Sequence, residues 1–94
     1  MVETAGRITL WGVEVFVATA DESSISVAAR RLGVSPSSVS QQLSNLEASL
    51  GTSLVVRSAR PLSLTPAGEI FLKRAQAILN EAEQARAELA RGAF

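Results

Sequence analysis

Residues 28–36 read Ala28-Ala29-Arg30-Arg31-Leu32-Gly33-Val34-Ser35-Pro36, and this stretch decides the fold. Gly33 follows Leu32 directly and supplies the left-handed backbone conformation that closes a helix without steric cost. Only Val34 then separates it from Ser35-Pro36, a capping serine and a proline at the first helical position, which together open the next helix. Two helices joined across so short a turn cannot lie parallel. They cross steeply, as in a helix-turn-helix unit, and the small Ala28 and Ala29 let the crossing be close. The same spacing also serves an ordinary helical hairpin, so the flanking sequence has to choose between the two.

Upstream, Ser26 is placed as the cap of a short second helix, Val27 to Leu32, which buries Ala28, Ala29 and Leu32 and leaves Arg30 and Arg31 nearer the surface. Before it, Asp21-Glu22-Ser23-Ser24 reads as a polar loop. Thr9 can cap a first helix from about Leu10 to Ala20, in which Leu10, Val13, Phe16, Val17 and Ala20 recur at the helical period. Downstream, the third helix runs from Pro36 to Leu50 and is stopped by Gly51, with Val39, Leu43, Leu46 and Leu50 as its buried stripe.

The next segment favours a nucleic-acid-binding unit over a plain hairpin. Leu54-Val55-Val56-Arg57 and Leu62-Ser63-Leu64-Thr65 are short β-prone runs flanking Ser58-Ala59-Arg60-Pro61, a turn-forming tip that carries a charge. Pro61 is tolerated because a two-stranded ribbon is all edge. A hairpin directly after the third helix makes a wing, and Arg57 and Arg60 put positive charge beside whatever groove that helix enters. The fold class is therefore mainly α: a winged helix-turn-helix of three helices plus a two-stranded wing, followed by one long helix.

Thr65-Pro66 repeats the cap-plus-proline signal and opens that last helix, Pro66 to about Arg91. Phe71, Ala75, Ile78, Ala82, Ala85 and Leu89 form a seam at alternating four- and three-residue steps, widened by Leu72 and Leu79. Beyond Ile78 so small a domain has nothing left to pack on the seam. A second copy of the chain is the natural cover, and Phe71, Ala75, Ile78, Leu79, Ala82, Ala85 and Leu89 are the expected dimer interface. The competing reading is a solvated alanine-rich helix, since alanine is the best helix former.

The whole chain, 94 residues with 47% hydrophobic and 4% aromatic content, suits one domain whose core is built from aliphatic side chains. It contains neither cysteine nor histidine, which removes disulfides, thiolate chemistry, Cys/His metal sites and imidazole acid-base catalysis. No cofactor or metal is expected. Lone serines without a base and carboxylates scattered on helix surfaces offer no catalytic constellation, so an enzyme is not expected either. No apolar run approaches the roughly 18 residues a membrane span needs. The start lacks a signal-peptide core, and a cytoplasmic location is expected. Net charge is zero, but it is unevenly spread: residues 1–22 carry −3, residues 23–65 carry +3 with Glu47 as their single acid, and residues 66–94 balance. The positive excess coincides with the helix-turn-helix and wing.

With the third helix drawn at about 100° per residue and its stripe inward, Ser37, Gln41, Ser44 and Ala48 point outward, flanked by Ser38, Ser40 and Asn45. Amides can pair bidentately with adenine and hydroxyls accept several partners, so this face suits base edges and phosphates. The helix has no Arg or Lys, but its N-terminal amides, at the positive end of the helix dipole, can still hold a phosphate. Arg57 and Arg60 are candidates for backbone contact, which needs only charge and reach. Ser26, Arg30, Arg31 and Gln42 complete the expected DNA-contacting set.

In order and spacing, Phe16-Val17-Ala18, Ser24-Ile25-Ser26, Ala28-Ala29-Arg30-Arg31-Leu32, Val39-Ser40-Gln41-Gln42-Leu43, Leu46-Glu47, Leu50-Gly51 and Leu64-Thr65-Pro66-Ala67-Gly68-Glu69 resemble the N-terminal region of LysR-type transcriptional regulators, from about Ile8 to Leu79. The resemblance implies a winged helix-turn-helix, a helix that pairs between subunits, and bacterial gene regulation at a pseudo-palindromic, often AT-rich operator. It places DNA contacts on Ser35 to Ser38, Ser40 and Gln41, with wing contact at Arg57. Two positions depart from the family pattern: Pro36 stands where members often carry Gln, and Gln41 where they often carry Arg. The larger inducer-binding domain of such regulators is absent from this chain, which fits either a piece of a longer protein or a module that stands alone.

The expected organisation is a leader over 1–8, a DNA-binding domain over 9–65 and a linker and dimerisation helix over 66–94. The expected function is sequence-specific binding of double-stranded DNA as a homodimer, with higher oligomers open to a longer protein. The third helix is expected in the major groove, and the wing on the backbone or adjacent minor groove. The alternative, motivated by zero net charge and a third helix without basic residues, is a winged-helix protein-interaction module with no DNA affinity.

Overall fold

The computed structural model describes residues 6–92; the first five residues of the expected leader lie outside the described residues. Helix α1 spans Leu10–Glu22, α2 Ile25–Leu32, α3 Pro36–Leu50 and α4 Pro66–Ala90. Between the last two, strands β1 (Val55–Val56) and β2 (Ser63–Leu64) form a two-stranded antiparallel sheet in which Val55 faces Leu64 and Val56 faces Ser63.

Local capping chemistry sets most boundaries. The Thr9, Ser35 and Thr65 hydroxyls accept from the backbone N–H groups of Gly12, Ser38 and Gly68 at 3.0, 3.1 and 3.0 Å, satisfying donors that a helix start leaves free. Gly33 and Gly51 close α2 and α3 at φ 74° and 73°. The Val34 amide reaches back to the Ala29 carbonyl at 3.0 Å, which completes the stop between α2 and α3.

Two expected boundaries are corrected. The cap of α2 is Ser24, whose hydroxyl accepts from the Val27 amide at 3.1 Å, and Ser26 lies exposed in the first turn. Starting the helix two residues earlier lets Ile25 pack against the core. Helix α1 continues past Ala20 to Glu22 and ends on Ser23 in the left-handed conformation, φ 52°. Asp21 and Glu22 thus place two carboxylates at the negative end of the α1 dipole, a position that disfavours them. Arg31 of α2 compensates by donating to both, at 3.2 and 3.1 Å.

The core lies where α1 crosses α2, α3 and the base of α4. Val13, Val15 and Phe16 of α1 meet Val39, Leu43 and Leu46 of α3, with Leu54, Val55 and Leu62 closing one side from the wing. Leu10, expected on the inward face of α1, is instead 57% exposed at its first turn, beyond the reach of the packed elements. The strands are shorter than the β-prone runs because Leu54 and Leu62 turn into the core, and the Leu62 amide donates to the Ser23 carbonyl at 3.1 Å rather than to the wing ladder. The first turns of α4 belong to this same core. Ala75 is fully buried, and the Phe71 ring sits 5.6 Å from that of Phe16 at a 49° tilt.

Candidate nucleic-acid interface

The structure turns Ser37, Gln41, Ser44, Asn45 and Ala48 of α3 to the outside. The opposite stripe of Val39, Leu43 and Leu46 is buried, so the orientation of α3 is fixed by its core. On the exposed face, Gln41 donates an amide hydrogen to Asn45 Oδ1 at 3.0 Å, one turn along the helix. Ser35 and Ser37 hydroxyls are 3.3 Å apart above the first turn of α3. Gln42 has a different setting. It lies half-buried on the flank towards α1, lining a crevice with Arg7, Trp11 and Asn45, to one side of the face that carries Gln41.

A second crevice brings together the start of α2, the start of α3 and the wing. Ser24, Ser26, Pro36, Arg57, Arg60 and Pro61 are among its lining residues. Ser26, Pro36, Arg57 and Arg60, far apart in the chain, are thereby gathered at one edge of the exposed α3 face. At the wing tip, Arg60 folds onto its own turn, donating to the carbonyls of Arg57 and Ala59 at 2.6 and 3.0 Å while staying exposed.

The basic residues differ in how free they are. Arg31 is held by Asp21 and Glu22, whose hydrogen bonds raise its guanidinium above its ordinary pKa. Arg30 is exposed and has no ion-pair partner among the described residues. The Arg57 side chain, 34% exposed, does not extend freely from the wing. Its guanidinium lies back on α3, donating to the Ser40 and Ser44 hydroxyls at 2.6 and 3.1 Å and pairing with Glu47 at 3.3 Å. Glu47 was missed among the candidate residues, although its being the single acid in residues 23–65 was a signal in the sequence.

The expected dimer seam is divided by the fold. Ala75 is fully covered inside the chain, and Phe71 is half-buried against Phe16. Both were expected at the interface; Ala75 has no surface left for a partner, while Phe71 packs on the chain's own core and keeps part of its surface open. The apolar face open to a partner begins at Ile78, 38% exposed, and continues through exposed Ala82 and Ala85 to Leu89, 65% exposed.

This geometry has close counterparts among solved structures. The BenM DNA-binding domain in complex with catB site 1 DNA superposes with a TM-score of 0.84 at 32% identity, covering 93% of this chain and 97% of that one. The CbnR DNA-binding domain in complex with DNA superposes with a TM-score of 0.84 at 34% identity, covering 93% and 100%. The fold and its exposed helix thus define a winged helix-turn-helix DNA-binding domain. A family model described as bacterial regulatory helix-turn-helix protein, lysR family, matches residues 10–69, and the chain belongs to that family. Among curated relatives, a "Probable hydrogen peroxide-inducible genes activator" of Mycobacterium avium is 49% identical over 75 residues, which cover 80% of this chain and 24% of the relative. One of the same description from Mycobacterium xenopi is 41% identical over 93 residues, covering 99% and 49%. The chain therefore spans about a quarter of the length of the first relative and half that of the second.

Proposed function

We propose that this chain recognises a specific sequence of double-stranded DNA as a homodimer, with α3 in the major groove and the wing on the backbone or adjacent minor groove. One observation carries the reading: an exposed Ser37, Gln41, Ser44 and Asn45 face lies beside a crevice into which α2, α3 and the wing bring Ser26, Pro36, Arg57 and Arg60. A two-fold pair of such helices, set one or more helical turns apart along the duplex, reads a palindromic site. Ser35, Ser37, Ser38, Gln41 and Asn45 are the groove-facing contacts of this reading. Arg30 and Arg60, which pair with no carboxylate among the described residues, are the phosphate contacts of this reading, while Arg31 is engaged by Asp21 and Glu22 and Gln42 lies half-buried to one side of the face. In this reading residues 9–65 are the DNA-binding domain of a transcriptional regulator acting in the cytoplasm, and α4, Pro66–Ala90, is its linker and dimerisation helix; residues 93–94 of the expected segment lie outside the described residues. No helix among the described residues is long and apolar enough to cross a membrane.

Gln41 is the residue to test for base reading. Its carbonyl and remaining amide hydrogen form a donor–acceptor pair that matches the major-groove edge of adenine. Gln41→Ala is expected to relax preference at one position of each half-site at a cost of about 1–3 kcal/mol. Measured affinities for selected and random duplexes should therefore converge in that variant. An equal loss on both would place Gln41 outside the base contacts.

The homodimer rests on the open part of the α4 face. Exposed Ile78 and Leu89, with Ala82 and Ala85 between, form an apolar stripe that the chain itself leaves uncovered. Ile78→Asp places an unpaired charge in that stripe, which is costly at a dry interface. Sedimentation of the variant should give monomers under conditions where the parent chain is dimeric. A variant that stays dimeric would put the interface elsewhere.

A further inference from the structure

The carboxylate of Glu47 sits at the joint between the recognition helix and the wing. One oxygen, Oε2, accepts from the backbone amides of Leu54 and Val55 at 2.8 and 3.2 Å, where the chain leaves α3 and starts β1. The other, Oε1, pairs with the Arg57 guanidinium at 3.3 Å. Arg57 is itself laid along α3, donating to Ser40 Oγ at 2.6 Å and Ser44 Oγ at 3.1 Å. The two side chains are only 16% and 34% exposed, so water competes weakly for these bonds. Isolated surface ion pairs contribute little. This pair is part of a network in which one carboxylate satisfies two backbone donors and a guanidinium, and charge-assisted bonds of that kind are the stronger ones.

We propose that Glu47 is a positioning residue for DNA recognition, locking Arg57 along the flank of the recognition helix and fixing the wing to it as one rigid unit. The inference rests on the DNA-binding reading above. Helix α3 carries no Arg or Lys of its own, and Arg57 gives its groove-side flank a cation held from the wing. The lock also sets where Arg60 is presented, because Arg60 is bonded to the Arg57 carbonyl. An acid facing a polyanion should, by charge alone, weaken binding to every sequence equally. A positioning role gives a different signature: losing the acid leaves random-sequence affinity unchanged or higher and lowers discrimination.

The test compares the parent chain, Glu47→Gln, Arg57→Met and the double variant on selected and random duplexes, after thermal unfolding has established that each is folded. Glutamine keeps an acceptor for the Leu54 and Val55 amides while removing the ion pair. Each single variant is expected to lower the selected-to-random affinity ratio about tenfold, on the order of one base pair's worth of discrimination. The double variant should lose no more than either single, since both break the same lock. Unchanged ratios in the folded singles, or losses that multiply in the double, would overturn the proposal. NMR of the parent chain tests the lock without substitution. Resolved Arg57 Nη signals, in the free protein and on DNA, are expected from a restrained guanidinium, and a single averaged signal would overturn it. A parent chain that binds no duplex at all would sink the DNA reading together with this one. A parent that discriminates while the variants do so equally well would sink this one alone.

Discussion

Replacing Gly68 by alanine is expected to cost this protein about 3 kcal/mol or more, at or beyond the upper end of what overpacking usually does. The added Cβ would stand 2.0 Å from the Leu54 carbonyl oxygen, 3.0 Å from its carbon and 3.3 Å from its Cα. These are backbone atoms, so no side-chain rotation relieves the clash. The Leu54 carbonyl cannot retreat either, because it accepts from the Thr65 amide at 3.0 Å and its own side chain is 1% exposed in the core. Alanine gains about 1 kcal/mol of helix propensity over glycine, which is too little to reverse the sign. With roughly 4–8 °C of melting temperature per kcal/mol in a domain of this size, the variant should melt at least about 10 °C below the parent chain. Scanning calorimetry checks it; an unchanged or raised Tm would mean that α4 does not approach the wing this closely.

The second large effect is expected at Phe16. Its ring is fully buried, central to the contacts of α1 with α3, and stacked at a tilt on Phe71 of α4. Phe16→Ala removes the burial and leaves a cavity that the surrounding aliphatics fill only partly, a loss of about 3–5 kcal/mol. That is a large part of the roughly 5–15 kcal/mol by which native domains are stable. The urea midpoint should fall accordingly with an unchanged slope. Phe16→Leu, closer in volume, should cost less than half as much. A loss near 1 kcal/mol for Phe16→Ala would place the centre of the core elsewhere.

Gly68 also illustrates what the sequence could and could not disclose. A glycine in the first turn of a long helix was visible as a poor helix former, but its reason, the Leu54 carbonyl just ahead of β1 pressed against it, belongs to tertiary structure. The helix ends around it were legible because capping is local chemistry: Gly33, Gly51, Ser35-Pro36 and Thr65-Pro66 each act within one turn of their own position. The cap of α2 was read at Ser26 and lies at Ser24, because Ile25 packs on the core, which spacing does not show. Periodicity in α4 correctly marked an apolar face without saying what covers it. The Phe71 and Ala75 part is covered by α1 and its neighbours, and the part from Ile78 onward is left open.

The outward face of α3 was legible for a similar reason. Once Val39, Leu43 and Leu46 are inward, the 3.6-residue period leaves Gln41 and Ser44 outward. The roles of Arg57 and Arg31 were not legible, because an arginine's position in the chain says nothing of which carboxylate its long side chain will find. Arg31 found Asp21 and Glu22 across the α1–α2 corner, and Arg57 found Glu47 across the wing.

Whether this chain reads a DNA sequence as a two-fold dimer is decided by selection from a randomised duplex pool at two salt concentrations, with sequencing of the retained fraction. Retention is expected to weaken as salt rises, since phosphate contacts release counterions, and the enriched motif is expected to have two-fold symmetry. No retention even at low salt, from protein shown to be folded and dimeric, would contradict it and favour a winged-helix module that binds other proteins.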